Sequence, residues 1–278
     1  MLFPAVFIYC ALLLSPILQA VFQSFYTWNG IKSVPFQFAG ISNFIKIFSS
    51  GRFWGSVINS GWFMLIGFVV LMPLSFILAN ISVSIMRGAH FFKTAYFIPV
   101  VLPVTAVGLM WRYLLNPDGG LVNSLLLILG VTNPPRWLGD PKIAIQTVAL
   151  VNEWIYAGFN MLIFAAGLVG IPADLFEAAK IDGASERQKL FWITLPLMKE
   201  SFKIFSVLCV TGCLRTFDLV FVMTRGGPAH ATEMPATLLY NEAFKYQNFG
   251  VGNAIAVFML VVGISVSIIL NKHLAAED

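Results

Sequence analysis

Charge is what this sequence has least of. Of 278 residues only 11% are Asp, Glu, Lys or Arg, while 58% are hydrophobic and the mean hydropathy is +0.83. A soluble domain carries about 25% charged residues, so this chain lacks the polar surface to cover its apolar material in water. A water-soluble enzyme, a disordered chain and a nucleic-acid binder are excluded on that ground, leaving an integral membrane protein. Cysteine is scarce too. Three are present, an odd number without metal-ligand spacing, and Cys209 and Cys213 at i, i+4 in an apolar stretch read as packed core thiols. The three histidines, His90, His230 and His273, are scattered. No His-Glu-x-x-His, Gly-x-Ser-x-Gly or Gly-x-x-x-x-Gly-Lys-Ser/Thr run occurs, which argues against an intramembrane hydrolase and against ATP binding by this chain. The net charge of +4 is modest and calls for no polyanionic partner beyond anionic lipid headgroups.

What is abundant is long uncharged sequence. Residues 1–31, 53–86, 94–111, 154–173 and 246–271 carry no Asp, Glu, Lys or Arg. About 20 apolar residues cross a bilayer core. The gaps predict an all-α polytopic membrane protein, a single domain over 1–278 with six transmembrane helices near 2–27, 57–82, 94–115, 143–169, 202–224 and 249–271. The fourth contains Glu153, and the fifth, which contains Arg215 and Asp218, is the least apolar. The apolar start lacks the basic n-region of a signal peptide and reads as a retained first helix. Prolines at 4, 16, 73, 99 and 103 fall in or beside the spans and predict bends, since neighbouring helices can satisfy freed carbonyls. Leu121–Leu129 is apolar but too short to cross and is expected at the interface or tucked against the bundle. With both termini cytoplasmic, inner and outer segments carry equal numbers of basic residues, but the inner segments are shorter and therefore denser.

One connection stands apart. Segment 172–203 holds a third of the chain's charges. Pro172 suits a first helical turn, Asp174 and Glu177 suit its positive end, and Gly183 is a natural stop. Ser185 with Gln188 then reads as a capping box opening a second helix that should end near Leu195-Pro196. By residue types alone this is equally well a solvated connecting loop.

The order of residues goes further. Glu177-Ala178-Ala179, Asp182-Gly183-Ala184 and Ile193-Thr194-Leu195-Pro196 resemble the EAA loop of bacterial ABC importer permeases, here over 172–196 between the fourth and fifth helices. Phe91-Phe92-Lys93 leading through Pro99 and Pro103 to Trp111-Arg112-Tyr113-Leu114-Leu115-Asn116-Pro117 resembles the third span of the maltose-type carbohydrate permeases. Phe217-Asp218 followed by Thr224-Arg225-Gly226-Gly227-Pro228 is similar to the segment after their fifth span, with Arg225 where many relatives carry glycine.

The resemblance implies a chain of the bacterial cytoplasmic membrane that hydrolyses nothing and binds no cofactor. Two separate ATPase subunits would hold ATP and Mg. Glu177, Ala178, Ala179, Asp182 and Gly183 would form a coupling helix and turn docked on them, Glu177 meeting a basic group and the alanines permitting close approach. A second, homologous permease, a heterodimer being favoured, would complete the pathway. An extracytoplasmic binding protein would deliver a sugar or oligosaccharide.

Ionisable residues inside a membrane are costly and usually face a cavity or one another. Glu153, Tyr156 and Asn160 share a helical face, as do Thr211, Arg215 and Asp218. Two readings fit: a polar lining for a sugar, with Trp154, Tyr156 or Phe159 stacking on its ring, or an ion pair of Arg215 with Asp218 or Glu153 that ties helices together. Asn253 near the outer end of the sixth span is a further candidate. Arg112 and Arg215 would also suit an acidic sugar. The competing class is a self-contained secondary transporter or channel for a small polar solute, which would need neither ATP nor the charged loop; the sequence contains no evident repeat of the kind such proteins carry.

Overall fold

The computed structural model describes residues 3–31, 33–84 and 88–274. Residue 2 of the first expected span, and residues 1, 2, 32, 85–87 and 275–278 of the expected domain over 1–278, lie outside them. The described residues are mostly helical, with one short antiparallel ladder among them pairing Tyr26 with Phe38 and Thr27 with Gln37.

Among the described residues four helices are long and apolar enough to cross a membrane: Phe3–Gln23, Gly51–Ser84, Ala144–Val169 and Phe249–Leu270. They match the first, second, fourth and sixth expected spans. Ala144–Val169 is the axis of the bundle, with 61% of its most apolar window buried, against none for Phe3–Gln23, which lies on the outside. A Cβ at Gly158 would collide with the carbonyl of Tyr96, so glycine alone lets helix Ala89–Val101 pack this closely on the axis.

The prolines act in two ways. Pro16, Pro73 and Pro196 each follow a wide turn closed by an i→i+5 bond, at Cys10–Leu14, Gly67–Leu71 and Leu190–Thr194. A proline ring clashes with the carbonyl four residues back and offers no N–H to it. In all three cases that carbonyl, of Leu12, Val69 or Trp192, lies in the widened turn, so the helix absorbs the ring and continues. Pro99 and Pro103 do the opposite. The expected third span, 94–115, is two helices, Ala89–Val101 and Val104–Leu114, bent by 94° about an extended Leu102. Two prolines within five residues leave no regular turn to bridge them.

The expected fifth span, 202–224, is also broken. Lys199–Arg215 is followed by a non-helical Thr216–Phe217 and a short helix, Asp218–Met223. Seventeen residues reach about 25 Å, short of the roughly 30 Å hydrocarbon core, and this helix does not meet the length needed to cross alone. The Thr216 hydroxyl donates to the Gly212 carbonyl at 3.1 Å, competing with the helix just after an interior glycine that weakens it.

Three buried clusters stack along the bundle. One end is sealed by Phe53, Ile47, Leu238 and Ile255; the middle by Phe63, Val148, Ile155 and Val220; the other end by Phe164, Phe205, Met161 and Met198. Leu121–Ile128 is a short helix, as its length required, held by Trp137, whose indole donates to Asn123 at 2.7 Å.

Candidate functional site

The break at Thr216–Phe217 faces the axial helix and leaves a cavity of about 330 Å³ between them. Asn152, Glu153, Tyr156, Phe159 and Asn160 line it from Ala144–Val169. Arg215, Thr216, Phe217 and Asp218 line the other side. Non-helical backbone within a membrane is tolerated where it faces a cavity, and the charges suit the ends they occupy. Arg215 sits in the last turn of one helix and Asp218 in the first turn of the next, each complementing the helix dipole.

Glu153 is the most deeply placed of these groups, 2% exposed, and its Oε2 has no hydrogen-bond partner. That oxygen is enclosed as well as unpartnered, a costly state for a buried carboxyl group. Tyr156 and Phe159 stand at the rim, more than a third exposed. Among the described residues neither Arg215 nor Asp218 has an ion-pair partner within 4 Å, so the Arg215–Asp218 and Arg215–Glu153 pairs considered from sequence are not formed.

Five of the seven expected lining residues therefore come together: Glu153, Tyr156, Asn160, Arg215 and Asp218. Asn160 turns its amide nitrogen back to the Tyr156 carbonyl at 3.0 Å. Thr211 does not join them. It lines a separate groove with Gly263 and Ser267, and its hydroxyl donates to the Val207 carbonyl. Arg215, one turn on, borders both spaces. Thr211 and Arg215 keep their +4 relation on the unbroken helix but share the other groove, whereas Arg215 and Asp218, on either side of the break, meet at the cavity. Asn253 is occupied elsewhere, donating to Gln23 Oε1 at 3.0 Å and holding the first helix to the last. Trp154 lies in another cleft with Tyr96 and Pro99, edge-on to Trp111. Arg112 is not on the cavity. Asn152 and Phe217 were not anticipated, although each adjoins a residue that was.

The charged connection forms as its local signals require. Helix Ala173–Ile181 ends at Gly183, whose φ is +75°. Ala184 N–H donates to the Ala179 carbonyl and Gly183 N–H to that of Lys180, the paired bonds of a Schellman stop. Ser185 and Gln188 then cap each other reciprocally and open the next helix. That second helix passes Pro196 through its wide turn and runs to Leu197, slightly beyond its expected end. Glu177, Ala178, Asp182 and Gly183 are exposed and Ala179 is half-buried, while Phe176 anchors the helix to the core cluster at that end of the bundle.

Another polar cluster gave no sequence signal. Glu233, 1% exposed, accepts two hydrogen bonds from Arg52, one of them at 2.6 Å from Nη2, and a third from Asn241 at 2.9 Å. Asn59 donates to the Glu233 carbonyl. This fastens the segment after Gly227 to the start of Gly51–Ser84. Nearby, Arg225 has a φ of +55°, a left-handed conformation that explains why glycine suits this position in the motif.

Comparison with known proteins fits this architecture. Residues 86–276 match the family described as binding-protein-dependent transport system inner membrane component. The chain is 32% identical over 260 residues to the probable ABC transporter permease protein YurN of Bacillus subtilis (strain 168), covering 92% of this chain and 89% of that protein. It is 34% identical over 237 residues to the trehalose/maltose transport system permease protein MalF of Thermococcus litoralis, covering 84% and 79%. Its fold superposes on a chain of a bacterial ABC transporter involved in the import of the acidic polysaccharide alginate, with a TM-score of 0.84 over 99% of this chain and 93% of that one, at 20% identity. The bundle, its broken helices and the match along its length make this chain a member of the binding-protein-dependent transport system inner membrane component family, a multi-pass inner-membrane permease of the ABC importer type.

Proposed function

We propose that this permease is one half of the membrane pathway of a carbohydrate importer, and that the cavity at the helix break is where the sugar passes. The observation that carries the reading is the chemistry of the lining. The Glu153 carboxyl group, amides from Asn152 and Asn160 and the open charges of Arg215 and Asp218 line the cavity and suit hydrogen bonding to hydroxyls. Tyr156 and Phe159 offer apolar faces to a sugar ring. Relatives named for trehalose/maltose, lactose and diacetylchitobiose uptake support the same substrate class.

The cavity is open on the side of Tyr156 and Phe159, so a second, homologous permease would close it, a heterodimer being our reading. Two ATPase subunits would dock on Glu177, Ala178, Ala179, Asp182 and Gly183 and would carry the ATP and Mg, with no cofactor on this chain. An extracytoplasmic binding protein would deliver the sugar. The small side chains of exposed Ala178 and half-buried Ala179 would permit close approach of a partner, and the paired bonds at 182–184 fix the end of the short helix.

The test is reconstitution of the tagged permease with its co-purifying subunits in lipid, followed by ATP hydrolysis against a panel of mono- and oligosaccharides with the binding protein present. Sugar-stimulated hydrolysis that disappears in Glu177→Lys supports the reading. Solute uptake without ATP, unaffected by that change, would overturn it.

A further inference from the structure

The second half of the charged connection, 186–197, has two unlike faces. Toward the bundle it buries Thr194 and leads into Met198, 6% and 1% exposed, and packs Ile193 against the cluster around Phe164 and Phe205. Away from the bundle it holds out Phe191 and Trp192, 62% and 81% exposed. The wide turn at Leu190–Thr194 causes this. By adding a residue to the turn, it leaves Thr194 and Met198 on the bundle side and puts Trp192 near the opposite one. Together with Leu197 the two rings make a contiguous apolar patch, of the kind that marks a membrane or protein contact.

We propose that Phe191 and Trp192 are seated in the inner leaflet of the bilayer, at the boundary between acyl chains and headgroups. The second half of the loop is then held by lipid while Ala173–Ile181 is left for a protein partner. Three observations select lipid. Met198 joins this segment directly to the helix Lys199–Arg215, and exposed Leu197 and Ile204 continue the apolar surface from Trp192 onto that helix. The charges fit a phosphate layer. Lys189 is paired with Glu186 and Lys203 with Glu200, leaving Arg187 and Lys199 as exposed cations flanking the aromatic pair. Aromatic rings beside Lys or Arg mark membrane interfaces, and inner-leaflet lipids are anionic. A second site at the same end repeats the arrangement. Phe91, 79% exposed, stands two residues before Lys93, while its neighbour Phe92 packs into the same Phe164–Phe205 cluster.

This inference takes from the proposed function only that the loop lies on the cytoplasmic side. The test uses the purified permease with its co-purifying subunits in nanodiscs of phosphatidylethanolamine and phosphatidylglycerol, with or without bromine on the upper acyl chain. Subtracting the tryptophan emission of Trp192→Phe from that of wild type isolates Trp192. The expected result is an emission at least twofold weaker in brominated discs, with or without ATPase subunits present. Emission equal in both lipids overturns the inference, whether it shifts on removing the ATPases, which would assign the indole to a protein interface, or stays at a water-exposed wavelength. ATPase co-purification, scored on the same samples, reports on the proposed function separately.

Discussion

Arg52 and Glu233 lie 181 positions apart in sequence and meet in a two-pronged ion pair at the start of the second long helix. Glu233 is almost fully buried and Arg52 a quarter exposed. Removing one member of such a pair strands the other, at a typical cost of about 3–5 kcal/mol when both are buried, and somewhat less here because water reaches Arg52. Arg52→Ala should therefore lower the thermal midpoint of the detergent-solubilised protein by several degrees. The double change with Glu233→Gln should recover part of the loss, since no bare carboxylate remains. A double loss equal to the sum of the two single losses would show that the two residues act independently.

Gly158 is a packing residue on the axial helix. A methyl group there meets the Tyr96 backbone, which cannot swing away as a side chain can. Gly158→Val should abolish recovery of monodisperse protein by size-exclusion chromatography, and Gly158→Ala should reduce it. By contrast Gly183→Ala has open space around its Cβ and is strained only by its φ of +75°, so the cost should be near 1 kcal/mol and confined to the loop. Its readout is ATPase co-purification rather than yield.

Glu153 and Arg215 separate transport from folding. Arg215→Gln removes a cation that has no ion-pair partner among the described residues, so membrane yield should be unchanged while uptake falls by tenfold or more. Glu153→Gln keeps the shape and lets the side chain donate as well as accept. It should alter which sugars stimulate hydrolysis while leaving yield intact. Loss of either protein from the membrane would instead assign the residue a structural role.

Arg225 holds a left-handed backbone that costs an ordinary residue about 1–2 kcal/mol. Arg225→Gly should stabilise the segment after the fifth span by somewhat less, because glycine gives up more chain entropy on folding. A rise of a few degrees or less in the thermal midpoint is expected. A fall would mean that the guanidinium makes a contact worth more than the strain.

The features legible in the sequence are those set by local chemistry. The spans at 57–82 and 249–271 followed from missing charge, because no charged residue enters a bilayer core cheaply, and the span at 143–169 followed from a long apolar run despite Glu153. The connection at 172–196 followed from a helix start, a glycine stop and a reciprocal cap, each an interaction of neighbours within about five residues. The seven lining candidates were chosen by helical phase. Glu153, Tyr156 and Asn160 succeeded because their helix is unbroken across the site, whereas Arg215 and Asp218 reach the cavity from either side of a break.

Sequence alone determined that this is a polytopic helical membrane protein with one charged, turn-linked pair of short helices between its fourth and fifth spans, because hydrophobicity and capping are properties of adjacent residues. Tertiary structure decided the rest. Pro99 and Pro103 announce a bend but not its 94°, which depends on what the second half packs against. Neither proline nor glycine sits at Thr216–Phe217 to announce the break that opens the cavity. The partners of Glu233 and the empty side of Glu153 were invisible because a buried polar group is defined by what surrounds it, and those surroundings come from helices brought together only by folding.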